Sequence, residues 1–336
     1  MFNERLFVII KNMKRPKIVV IGGGTGSFAV LSGLKKLNCD LTAVVSMVDD
    51  GGSTGILRDE LGVLPPGDVR QCLVALSKSS NVMRKLFNFR FRTGSLKGHS
   101  FGNLFLISLE KVTGSFRNAV IEASNILATR GKVLPVTLEN TRLFIKIDNG
   151  KILEGEKYLD SYDFSNQKIK QVFLKPKVKI NPDVKDSLKE ADLVVIAPGT
   201  LHGSLIPNFL VFGFSSALKN TKAKIIYVCN LMSIAREKDF FLEDYVDELE
   251  KYLGRSLIDF VLFNIRKPPT KVLLEYKKEG EEPVKIGEIQ HLKNKKFKVV
   301  KADFISNHFR KTSNSKNLVR HDKEKLAKAI LKIYGK

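Results

Sequence analysis

The 336-residue chain contains no tryptophan and only three cysteines. Cys39, Cys72 and Cys229 lie far apart, and none belongs to a Cys-x-x-Cys pair. A disulfide scaffold and a cysteine-based zinc site are therefore not expected, and a reducing compartment is. No apolar run approaches the roughly 20 residues that span a bilayer, so membrane insertion is not expected. Near the N-terminus only Leu6–Ile10 is apolar. That is short for the roughly 7–15 apolar residues of a signal peptide, and no small-residue cleavage site follows. Residues 1–16 are expected to be an N-terminal extension of a cytoplasmic protein. No Gly-x-x-x-x-Gly-Lys-Ser/Thr run occurs, which disfavours a P-loop ATPase. No repeat of solenoid period is visible.

Acidic residues are outnumbered. There are 57 Lys and Arg against 35 Asp and Glu, a net charge of +22. From Arg266 to Lys336 the count is 20 against 8. There the lysines alternate with glutamates and apolar residues, as strands with a wet face do, and do not form a basic arm. Without a recognition motif, nucleic acid is not an expected partner. With 43% hydrophobic and 27% charged residues, the chain has the balance of a folded protein and not of a disordered one.

Short apolar runs alternate with helix-length amphipathic segments, the pattern of βαβ units. Lys17–Ile21 reads as a strand buried on both faces, and Ser27–Leu37 as a helix. Leu41–Val48 reads as the next strand, Asp49–Gly55 as a loop, and Val69–Ser77 as a helix behind the Leu64–Asp68 break. Lys132–Thr137 and Leu143–Ile147 alternate, and Asp148-Asn149-Gly150 then supplies a hairpin turn, so a small antiparallel excursion is expected. Leu193–Ala197, Ile225–Cys229 and Phe260–Phe263 are further buried-strand runs, each ending in a polar turn. The expected fold is α/β, a Rossmann-like, mostly parallel sheet with helices on both faces. It forms one domain over residues 17–336, with a nucleotide-binding core to about residue 265 and a basic part from 266 onward. In such a sheet the polar turns share the rim at the carboxyl ends of the strands, where ligands bind.

Gly22, Gly23, Gly24, Thr25 and Gly26 follow the first strand. From Gly24 the sequence reads Gly-x-Gly-x-x-Ala, and such a turn offers bare N–H groups at a helix N-terminus to a phosphate. Asp49 and Asp50 end the second strand, followed by Gly51, Gly52 and Ser53. Adjacent carboxylates repel unless a cation or donor answers them. They are candidates to hold Mg²⁺ beside a phosphate or to accept from sugar hydroxyls. Gly67, Asp68 and Arg70 open a helix, and His99, Ser100 and Asn103 offer donors at another helix start. Gly199, Thr200, Ser204 and Asn208 follow a buried strand, as does Asn230; His202, like His99, is equally readable as structural.

The stretches Ile21–Lys35, Val48–Leu76, Gly98–Leu106, Arg130–Asn140, Ala191–Val211, Tyr227–Ser233 and Val319–Ala327 closely resemble the YvcK-type gluconeogenesis factors. These form the bacterial branch of the family that includes the CofD-type 2-phospho-L-lactate transferases. The Asp-Asp-Gly-Gly block with its Leu-Pro-Pro-Gly-Asp continuation carries most of the specificity. Ile56 departs from the arginine usual in that block. The resemblance implies a cytoplasmic factor that binds a nucleoside diphosphate sugar, such as UDP-N-acetylglucosamine, and is linked to gluconeogenic growth, cell-wall precursor supply and cell shape. It also implies an alternative, a Mg²⁺-dependent transferase of a phospholactyl-like group in which Asp49 or Asp50 is catalytic. The expected ligand is a nucleoside diphosphate sugar, and the first reading requires no cofactor. Self-association into a homo-oligomer is left open.

Overall fold

A computed structural model describes residues 15–164, 167–288, 295–308, 310–311 and 317–335; residues 1–14 of the expected extension lie outside them. Seven strands form one sheet: β1 (Lys17–Gly22), β2 (Asp40–Val45), β3 (Lys132–Pro135), β7 (Leu193–Ile196), β8 (Lys224–Val228), β9 (Phe260–Asn264) and β10 (Lys298–Ala302). Their spatial order is β10-β9-β8-β7-β1-β2-β3, and every neighbouring pair is parallel. The central strands are continuous apolar runs because helices cover both faces. Ile18–Ile21 and Leu193–Ile196 are fully buried. The chain runs outward from β1 to β2 and β3, then returns to β7 on the opposite side of β1. The switch point therefore lies between β1 and β7.

Between β3 and β7 the chain builds a second sheet from β4 (Arg142–Ile147), β5 (Ile152–Glu154) and β6 (Ile169–Lys175), in the order β5-β4-β6. All its pairs are antiparallel, and the cross-strand rings of Phe144 and Phe173 stack at 5.5 Å. This is the expected excursion, turned at Asp148–Gly150. Of the two alternating runs only the second belongs to it; Lys132–Pro135 is instead the edge strand of the main sheet.

Other boundaries move. The loop expected over Asp49–Gly55 ends at Gly51, and Gly52–Leu61 is helical. Three glycines and two hydroxyl residues argue against a helix by propensity. Packing reverses this, since a Cβ on Gly55 would lie 2.1 Å from the Asp50 carbonyl oxygen. The first helix spans Gly24–Leu34, so the glycine-rich turn is itself the first turn of the helix. The lysine-rich end of the chain supplies β10 and the helix Lys323–Tyr334, started by Asp322, whose carboxylate accepts from the amides of Glu324 and Lys325. That helix packs against Gly24–Leu34. Contact is close because Gly33 has no Cβ, which would lie 2.0 Å from the Lys323 carbonyl oxygen.

Candidate functional site

A cavity of about 480 Å³ opens at the switch point, within the roughly 300–1,000 Å³ range of small-molecule sites. Its floor is the turn after β1 (Gly23, Gly24, Thr25, Gly26) and the turn after β7 (Pro198, Gly199, Thr200, Ser204). Gly26 is what lets the two turns touch: a Cβ there would lie 1.6 Å from the Pro198 carbonyl oxygen. The helix beginning at Gly24 has no side-chain cap of its own, so its first amides point at the cavity. One of them is already answered, for the Asp68 carboxylate accepts from the Gly24 amide. Thr25 contacts Gln71 through its hydroxyl at 3.2 Å.

Acidic groups crowd one wall. Asp68, Glu156 and Asp160 line the cavity, with Asp49 behind them. Burial, reinforced by the Asp49 charge, pushes the Asp68 carboxyl up to about 7. Burial, with Asp49 and Asp160 adding to it, pushes Glu156 up to about 8. Near neutral pH both are therefore able to donate a proton in a hydrogen bond, which an ionised carboxylate cannot do.

The aspartate doublet divides its work. Asp49 Oδ1 accepts from the Gly51 amide at 3.0 Å. Its other oxygen fills the space beside Gly67, where a Cβ would approach it to 2.5 Å. Burial raises the Asp49 pKa above its ordinary value. Asp50 is buried and points elsewhere: its Oδ1 accepts from the Lys157 amide at 2.8 Å, and its Oδ2 lies where a Cβ on Gly155 would be, 2.4 Å away. Asp50 thus ties the end of β5 to the main sheet and positions Glu156. Neither residue of the doublet lines the cavity. Among the described residues no three histidine, cysteine or carboxylate side chains converge as a metal shell.

Another group of expected site residues forms a separate, self-satisfied network. Arg70 is buried; its Nε donates to Asn103 Oδ1 at 2.9 Å and its Nη1 to Asn88 Oδ1 at 2.6 Å. Asn103 Nδ2 approaches Ser53 Oγ at 3.5 Å, Ser53 Oγ meets His99 Nδ1 at 3.1 Å, and Ser100 caps its helix by accepting from the Asn103 amide. Gly51–Gly55 carries a Gly-x-Ser-x-Gly spacing, and Ser53 does meet a histidine. Ser53, however, lies in the first turn of the helix Gly52–Leu61, and none of Gly51, Gly52, Ser53, Arg70, His99, Ser100 or Asn103 lines the cavity. Gly22 and Gly67 also lie outside the lining.

At the β7 and β8 ends, Asn230 accepts from the Gly199 amide and donates to the Gly199 carbonyl, both at 2.9 Å. It thereby clamps two turns while still lining the cavity. Thr200 and Ser204 hydroxyls are 3.1 Å apart across one turn. Leu201–Leu205 is a π-helical turn, and the buried Asn208 side-chain amide donates to the carbonyls of Ser204 and Leu205 at its end. Asn208 supports the site and does not line it. Buried His202 pairs with Glu248 at 3.2 Å, and desolvation lowers its pKa.

Some lining residues have no signal in local spacing. Glu156 and Asp160 arrive from the antiparallel excursion. Tyr276, Val319, Arg320 and His321 arrive from the lysine-rich end of the chain. Tyr276 Oη accepts from the Val319 amide at 2.9 Å, and His321 Nε2 meets the Cys229 carbonyl at 3.2 Å. Burial holds His321 down to about 4, so it is neutral and Arg320 supplies the positive charge on that wall. The run Val319–Ala327 marks this segment in the sequence, but nothing in it says that the chain folds back to β8.

A family described as 2-phospho-L-lactate transferase CofD matches residues 18–305. A relative from Thermotoga maritima is 41% identical over 94% of this chain and 99% of that one. A Bacillus subtilis protein named gluconeogenesis factor is 37% identical over 95% of this chain and 98% of its own. The crystal structure of a UPF0052 family member from Bacillus halodurans has a TM-score of 0.88 and 36% identity, covering 95% of this chain and all of that one. A doubly wound sheet with its cavity at the switch point, and a match that runs from β1 to beyond β10, together assign this chain to the CofD family.

Proposed function

We propose that the switch-point cavity binds a nucleoside diphosphate sugar, of which UDP-N-acetylglucosamine is the leading candidate. The chain would then act as a regulatory factor of the gluconeogenesis type, linking carbon metabolism to cell-wall precursor supply and cell shape. The observation that carries this reading is the pairing of a helix N-terminus at Gly23–Gly26, where only the Gly24 amide is answered by Asp68, with Arg320 around one 480 Å³ cavity. Backbone amides, the helix dipole and a guanidinium together suit a pyrophosphate. Asp68 and Glu156, with raised pKa values, would meet phosphate or sugar oxygens as neutral donors. Met232, Ile234 and Leu231 give the cavity an apolar wall for a base. The name of the Bacillus subtilis relative supports the factor role.

One observation favours a second reading. The same acidic wall, once ionised, would attract a divalent cation, as in a Mg²⁺-dependent transferase of a phosphorylated group. Asp49 and Asp50 diverge and do not form a two-carboxylate clamp, so the substrate's phosphates would have to supply most of the oxygens around such an ion.

Calorimetry with UDP- and GDP-linked ligands, with Mg²⁺ or with chelator, separates the two. Binding of a UDP-sugar that is indifferent to chelator supports the factor. Mg²⁺-dependent consumption of a GDP-linked donor supports the transferase, and failure of every such ligand to bind removes both.

A further inference from the structure

Between Asp68 and Glu110 the chain carries seven Lys and Arg and no Asp or Glu. Arg84–Arg92 reads Arg-Lys-Leu-Phe-Asn-Phe-Arg-Phe-Arg, cations interleaved with aromatic rings. The cavity uses none of these side chains.

The helix Asn81–Asn88 has two apolar stripes where a surface helix needs one. Phe87, on the inner stripe, is buried against Phe101 and Phe105, with ring centroids 6.0 and 5.1 Å away. The outer stripe is Val82 and Leu86, spaced i, i+4, and Phe89 continues it just past the helix end in extended backbone; the three are exposed by 75%, 39% and 49%. The chain then turns through a hairpin held by backbone bonds from Phe91 to the His99 carbonyl (3.0 Å) and from Gly98 to the Phe91 carbonyl (2.9 Å). Phe89 and Phe91 contact edge to face at 5.2 Å, and Leu96 is half-exposed at the tip. Lys85, Arg90, Arg92 and Lys97 are exposed around these apolar groups.

We propose that this helix and hairpin form a docking surface for an anionic lipid layer. Apolar tips ringed by long basic side chains suit the boundary between headgroups and acyl chains, where the tips bury and the cations remain at phosphate level. The apolar side chains are exposed on a helix and a hairpin, and a lipid layer receives them without a matching pocket. A second copy meeting this face by two-fold symmetry would oppose like charges with no acid in the tract to answer them. A nucleic acid would find rings to stack on, but Val82, Leu86 and Leu96 have no π-face to offer. Among the described residues no helix is long and apolar enough to cross a membrane, so contact would be peripheral.

Flotation of the full chain with vesicles of phosphatidylglycerol and phosphatidylcholine, or of phosphatidylcholine alone, tests this. The chain should float with the anionic vesicles only, and 0.5 M salt should lower the floated fraction about tenfold. Leu86→Asp combined with Phe89→Asp, and separately Arg92→Glu combined with Lys97→Glu, should each lower partitioning by about tenfold with the melting temperature unchanged. Should the first pair unfold, the basic pair decides, since those side chains are exposed. The proposal is overturned if the wild-type chain stays with buffer, or if both variants float as it does, because diffuse charge would then suffice. It is also overturned if the variants instead lose single-stranded RNA binding, or if sedimentation shows a dimer that Leu86→Asp with Phe89→Asp splits.

Discussion

The turn after β1 and the turn that opens the helix at Phe101 look alike in sequence: both are glycine-containing, rich in donors and followed by a helix. Their outcomes differ. Ser100 caps the second helix, Asn103 answers Arg70, and His99 answers Ser53. The first helix has no cap side chain of its own; Asp68 answers its Gly24 amide, and the rest of its turn opens on the cavity. A donor-rich turn is available to a ligand only when the rest of the fold leaves its donors unanswered.

The comparison breaks most sharply at glycine. Gly26→Ala should cost more than about 3 kcal/mol, because its methyl would overlap the Pro198 carbonyl and force the two cavity turns apart. Gly51→Ala, which meets only Asp49 Oδ1 at 3.4 Å, should cost less than about 1 kcal/mol. Equal effects in thermal unfolding would mean that the turns are not in contact. Next, Arg70→Met should destabilise by about 2–4 kcal/mol by orphaning Asn103 and Asn88, yet leave nucleotide affinity per folded molecule unchanged. A large loss of affinity at full stability would move Arg70 into the site. Arg320→Ala should show the reverse, about tenfold weaker binding of a UDP-sugar with stability within about 0.5 kcal/mol.

The smallest effect is on pH. Asp68 and Glu156 are raised to about 7 and about 8, so the folded chain binds more protons than the unfolded one above about pH 4. Their contribution to stability is complete below that pH and is lost as pH rises through 7 to 8. Mg²⁺-free ligand affinity should fall over the same upper range, as neutral donors become carboxylates facing phosphate. Asp68→Asn should flatten both profiles in calorimetry and melting curves. Affinity that climbs with pH in chelator would contradict the donor role.

Much of the sheet was legible because buried parallel strands are continuous apolar runs, as at Ile18–Ile21, Leu193–Ile196 and Ile225–Val228. The hairpin at Asp148–Gly150 was legible from turn chemistry. Lys132–Pro135 was not separable from the excursion, because an edge strand alternates as a hairpin strand does. Among the residues that line the cavity, Gly23–Gly26, Asp68, Gly199, Thr200, Ser204 and Asn230 were legible from their position at strand ends. Glu156, Tyr276 and Arg320 were not, since nothing local distinguishes them from other charged or aromatic residues of their segments.

Apolar periodicity and glycine punctuation by themselves determined a doubly wound sheet whose polar turns share one rim, because burial on two faces dictates both run length and the position of the breaks. Which polar groups remain open to a ligand was decided only by packing. Asp49 and Asp50 are adjacent in the chain, yet one backs the acidic wall and the other anchors a second sheet. Arg320 follows β1 by some three hundred residues and still lines the cavity beside it, because β10 and the last helix return to the sheet and to the helix Gly24–Leu34. A side chain's local sequence fixes what it can bond, and the neighbours that the fold brings to it fix what it does bond.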